Sequence, residues 1–172
     1  MQELFGLKKV WLKWTVLAGL VFVSAMCKAE EGHCAWLNDA TASGLLNGPV
    51  TLDLEAAPDD QSICTFANLK TAKDYSALRI VVQPLKDVTK AVVSHESLCT
   101  SPPAALKAIG NEAVSCSADV GYSRGEQVIG RVRDRLFIVT VSSTMAQDQS
   151  MTRQMLQEKA KMIAEQVAGA LF

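Results

Sequence analysis

Four cysteines, Cys34, Cys64, Cys99 and Cys116, follow an apolar leader, and bonds among them would restrict the fold more than any other feature of the sequence. With Cys27 of the leader set aside, the five cysteines leave an even four in a chain that carries an export signal, which predicts two disulfides because exported proteins meet an oxidising environment. Four cysteines allow three pairings. The pairing that closes the shortest loops joins Cys34 to Cys64 and Cys99 to Cys116. A closed loop of fifteen residues contributes roughly 3 kcal/mol by limiting the unfolded chain. No Cys-x-x-Cys pair occurs, so the spacing supplies no zinc signature and no metal is expected.

The leader has basic residues Lys8, Lys9 and Lys13, then the apolar run Trp14 to Met26, then small residues and an acidic pair. This order is that of a secretory signal peptide. As a helix the run is about 20 Å long, short of the roughly 30 Å hydrocarbon core. Extending it back to Val10 buries Lys13. Residues 1–29 are read as the signal peptide, cut after Ala25 or Ala29, and residues 30–172 as one domain. Acylation of Cys27 would instead tether the chain. Membrane association is expected only if the leader is retained or Cys27 is lipidated.

The 172 residues are 49% hydrophobic and 20% charged, which sets the chain among ordinary globular proteins and apart from disordered ones. Seventeen basic and eighteen acidic residues give a net charge of −1. Cleavage after Ala29 removes Lys8, Lys9, Lys13, Lys28 and Glu3, leaving thirteen basic and seventeen acidic residues, a net charge of −4. Such a balance argues against nucleic acid as a partner. Few aromatics remain as stacking platforms for sugars or single strands.

Hydrophobic periodicity predicts the elements. Cys34, Leu37, Thr41 and Leu45 have helical spacing up to the stop Asn47-Gly48-Pro49. Val50 to Glu55 and Ser62 to Asn68 alternate as two strands of a hairpin around Pro58-Asp59-Asp60. A third strand covers Ala77 to Gln83. Val88, Val92, His95 and Cys99 predict a second helix, and Pro103 before AALKAIG predicts a further short one ending at Gly110. Val114 to Val120 alternates as a strand, and the long β-rich stretch that follows bends at Arg133-Asp134 into a hairpin of Gln127 to Val132 with Arg135 to Val141. Ser150 to Phe172 is amphipathic, with Met155, Leu156, Ile163, Val167 and Leu171 on one stripe and Asp148 or Ser150 as its cap. The fold class expected is α+β: a mostly antiparallel sheet of about six strands with the N-terminal and C-terminal helices packed on one face.

No Gly-x-Gly-x-x-Gly, phosphate loop, His-Glu-x-x-His or Gly-x-Ser-x-Gly occurs, so no cofactor and no catalytic residue is assigned. Arg131, Arg133 and Arg135, with Arg124 nearby, are the ligand-binding candidates, since guanidinium groups hold phosphate or carboxylate in a bidentate manner. The simpler reading is a charged hairpin tip that discourages edge pairing. His95-Glu96 could act as a base and its orienting carboxylate with an unidentified serine. His33 lies at the expected new N-terminus. Trp36 reads as a core anchor. Of Met145, Met151, Met155 and Met162, three at helical spacing read as core packing.

The early cysteine opening a helix, the second cysteine in a strand, Gly110-Asn111-Glu112-Ala113 before Cys116 and the valine-rich stretch Val128 to Val141 resemble small bacterial cell-envelope proteins and lipoproteins of unknown function, notably actinobacterial ones. The resemblance covers most of the chain after the leader and departs from those lipoproteins at Met26-Cys27, where a small residue usually precedes the acylated cysteine. It implies export and an α+β fold and carries over no catalytic residue. The function expected is noncatalytic binding of an envelope protein or a small ligand on the sheet or the hairpin; the alternative is a secreted or periplasmic hydrolase using a serine with His95.

Overall fold

The computed structural model describes residues 32–56, 60–71, 74–87, 90–144 and 151–172. The leader, Cys27, Pro58, Asp59, Val88, Met145, Asp148 and Ser150 lie outside the described residues.

Among the described residues seven strands form one antiparallel sheet. In chain order they are β1 (Thr51–Ala56), β2 (Ser62–Leu69), β3 (Tyr75–Pro84), β4 (Ala104–Leu106), β5 (Glu112–Ser117), β6 (Arg124–Val132) and β7 (Arg135–Ser143). In space the order is β1-β2-β3-β7-β6-β5-β4. Two meanders therefore meet where β3 pairs with β7, with Ile80 opposite Val139 and Val82 opposite Phe137. The strand count is seven and not six because Ala104–Leu106, read as helix from its alanines and Pro103, pairs with Ala113–Ser115. Thr100 N–H donates to Ser117 O, and Ser117 N–H donates to Ser101 Oγ, so this segment is already held along β5 before Ala104.

Strand alternation sorts the side chains by face. Phe66, Leu78, Ile80, Val82, Val128, Val132, Phe137, Val139 and Val141 share one face and are fully buried. Helix α3 (Arg153–Leu171) covers this face with Leu156, Ala160, Ile163, Ala164, Val167 and Ala168. Three alanines on that stripe let the helix axis approach the sheet closely. Met155 and Met162, read as core, are 37% and 53% exposed; Met151 alone of the described methionines on this segment is buried. Thr152 caps the helix, its side chain accepting from Met155 N–H.

Helix α1 (Asp39–Leu45) is shorter than its apolar spacing implied, since Asn38 caps it through Thr41 N–H at 2.8 Å and leaves Cys34 to Leu37 outside. Cys34 and Leu37 are nevertheless buried in the same core. Trp36 packs against that core and its indole N–H donates to Ser62 Oγ. The carbonyls at the end of α1 are held from three directions. Asn68 Nδ2 and Ser76 Oγ, both buried, donate to Leu46 O at 2.8 and 3.2 Å, and Lys159 Nζ of α3 donates to Leu45 O. These bonds satisfy carbonyls that a helix end leaves without intrahelical partners.

Because β3 lies in the middle and β4 at the far edge, the connection between them must cross β7, β6 and β5. It crosses on the second face, carrying α2 (Ala91–His95) and a single 3-10 turn, Glu96–Leu98. Val92 buries there with Ile129 and Leu136. Two disulfides complete the fold in the shortest-loop pairing: Cys34–Cys64 on the α1/α3 face and Cys99–Cys116 on the second face.

Candidate functional site

The second face of the sheet is covered unevenly. Over β5 and β6 it carries α2 and the Cys99–Cys116 bond, with buried Gln127 donating to Cys116 Sγ at 3.3 Å. Over β2, β3 and β7 the side chains of Thr65, Ala67, Ala77, Val81, Ile138 and Thr140 remain partly exposed. Arg79 stands out from this surface and approaches Glu55 to 3.8 Å. Beneath them Thr65 Oγ1 is shielded without a hydrogen-bond partner among the described residues.

At the boundary between the covered and open parts, three elements contribute one polar chain. Gln61 Nε2 donates to Gln83 Oε1 at 3.2 Å, Gln83 Nε2 stands 3.3 Å from His95 Nε2, and Ser94 Oγ stands 3.1 Å from His95 Nδ1. His95 thus has one ring nitrogen beside the Gln83 amide and the other beside the hydroxyl of its helix neighbour Ser94. Gln61 and Gln83 were not legible as site residues, because nothing in a linear reading places a glutamine just before β2 and another in β3 beside a helix twelve residues further on.

The four arginine candidates are not brought together. Arg131 lies on the second face, where its Nε pairs with Glu112 at 3.0 Å and its Nη1 donates to Arg133 O. Arg133 occupies the hairpin turn with φ 52°, its N–H held by Asn111 Oδ1 at 2.7 Å. Arg135 opposes Val132 and Pro84, in phase with the helix-side residues, and Arg124 is at the opposite end of β6, opposite Ser143. Gly110 supports the turn from below: its φ is 63°, and a Cβ there would stand 2.4 Å from Arg131 O.

The most strongly charged cluster lies elsewhere. Arg153, in the first turn of α3, donates to Glu126 Oε1 at 2.6 Å, Asp119 Oδ2 at 2.8 Å and Ser117 Oγ at 2.6 Å. Glu126 is buried at 5% exposure and also accepts from Ser117. A signal for it was present: Glu126 has the same strand parity as Val128 and Val132, which places its carboxylate inward. The Arg153 hydrogen bond, assisted by Gly125 N–H and opposed by burial, holds the Asp119 carboxyl below the usual carboxylate range. The same pairs raise Arg153.

A depressed folded value means that Asp119 stabilises the fold above the ordinary carboxylate pKa and loses that contribution as pH falls through the lowered value. Asp119→Asn should therefore lose less thermal stability than the wild type between about pH 4 and pH 2. Parallel melting-temperature curves for the two proteins would remove this pair from the acid response.

Among the described residues no group of three or more His, Cys, Asp or Glu side chains is placed to hold a metal ion. Fold and surface together define an α+β protein with two disulfides, one helix-covered sheet face and one partly open face. Comparison with protein families, curated proteins and solved structures gives no match.

Proposed function

We propose that this is an exported bacterial cell-envelope domain, secreted or periplasmic, that acts by binding a partner protein or small ligand and not by catalysis. The observation that carries the reading is the open part of the second face. An antiparallel sheet with one helix-covered face has its other face available to solvent or a partner, and here Val81, Ile138 and Thr140 form a partly exposed floor bordered by the Gln61–Gln83–His95 chain. Two disulfides support an oxidising compartment. No helix among the described residues is long and apolar enough to cross a membrane.

Thr140→Arg places a long cation on this floor without entering the core, and Glu158→Arg on the outer side of α3 serves as its control. Immobilised wild-type protein and the control should capture the same envelope protein or small molecule at physiological salt, and Thr140→Arg should not. Identical capture by all three, or none by any, would overturn the proposal.

A further inference from the structure

The two edges of the sheet differ in a way that selects a partner. β4 is three residues long and follows Pro102-Pro103, the protection expected of an edge that must not pair. β1 runs for six residues in unbroken register with β2, from Thr51 opposite Ala67 to Ala56 opposite Ser62. It contains no proline and no bulge. Among the described residues, no main-chain hydrogen bond reaches β1 except those from β2. Every second residue of such a strand turns its N–H and C=O outward, ready for another strand.

The side chains of that edge have a definite chemistry. On the open face the row is Thr51, Asp53 and Glu55, all exposed; on the helix-covered side Leu54 is 41% exposed and Leu52 half-buried. Glu55 has Arg79 at 3.8 Å as a partial counter-charge, while Asp53 sits opposite uncharged Thr65. A second copy adding antiparallel would set one acidic row against another, which is unfavourable for directly opposed like charges. A strand with basic residues on one face and apolar residues on the other would complement both rows at once.

We propose that β1 is an acceptor edge for an extended segment of a partner protein in which basic and apolar residues alternate. The added strand extends the sheet beyond β1, its basic side chains meeting Asp53 and Glu55 and its apolar ones covering the part of Leu54 that the chain's own Gly32 leaves exposed. The proposal rests on the binding reading above only in taking the partner to be a protein. The acidic row gives selectivity as well as attraction, because it rejects the chain's own copies.

The test uses the disulfide-bonded protein with two capped hexapeptides, one alternating lysine and valine and one alternating glutamate and valine, and follows β1 amide hydrogen exchange. Saturating lysine peptide should slow exchange at alternate β1 amides at least ten-fold, the glutamate peptide should not, and Asp53→Lys should reverse the preference. N-methylation of one alternate set of lysine-peptide amides should abolish the protection, while methylation of the other set leaves it. No slowing by the lysine peptide, equal slowing by both peptides, or indifference to methylation would overturn the edge site. Thr140→Arg should leave peptide protection unchanged, so failure at the open face and failure at the edge are distinguishable.

Discussion

Replacing Cys34 and Cys64 together by alanine is expected to lower the free energy of unfolding by roughly 3–4 kcal/mol. The bond closes 30 residues, against 17 for Cys99–Cys116, and loop-closure entropy grows only logarithmically, so the second bond contributes about 0.5 kcal/mol less. The first also has a specific structural task. Residues 34–37 belong to no regular element, yet Cys34 and Leu37 are 6% and 3% exposed in the main core. A segment without its own main-chain ladder is held by what it is tied to, and here the tie is to Cys64, 1% exposed in β2. Urea unfolding of the oxidised wild type and the double alanine variant measures the effect. The midpoint should fall and the slope should rise slightly, as an unfolded chain freed of the cross-link exposes more surface. Coincident midpoints would mean that packing of Leu37 and Trp36 holds this segment unaided.

The strands of this fold are legible because alternation is local information. Thr51–Ala56, Ser62–Leu69, Tyr75–Pro84 and the β6–β7 hairpin stand within a few residues of their expected limits. Where the reading failed, the deciding partner was distant in sequence. Alanine, leucine and lysine in 104–107 favour helix intrinsically, but the Cys99–Cys116 bond and the Thr100–Ser117 contact lay this segment along β5, where pairing outweighs propensity. On α3, methionines attract attention as large apolar residues, whereas the sheet requires small ones at the closest approach, and Ala160, Ala164 and Ala168 occupy it. The site was less legible still. Arg131, Arg133 and Arg135 are close in sequence but alternate between faces around a tight turn. The polar chain from Gln61 to Ser94 exists only because the β3–β4 connection returns across the sheet.

Phe137→Ala should cost roughly 3–5 kcal/mol, and its cause is a glycine. Phe137 is fully buried in β7 opposite Gly130 of β6. A Cβ built on Gly130 would lie 2.3 Å from Phe137 Cζ and 2.8 and 2.9 Å from its two Cε atoms, so the ring lies across the glycine. Truncating the ring removes its burial and leaves a cavity that two paired strands and α3 cannot collapse to fill. Gly130→Ala alone should cost roughly 1–3 kcal/mol, because the ring is packed on every side and has nowhere to turn. The two changes should not add. With the ring gone, the alanine methyl occupies vacant space and restores ordinary strand propensity, so the double variant should be more stable than the sum of the single losses predicts by about 1 kcal/mol or more. Denaturant unfolding of the four proteins closes the cycle. Additivity within about 0.5 kcal/mol would show that the ring yields freely to a methyl group at position 130, and that the glycine is there for some reason other than the aromatic above it.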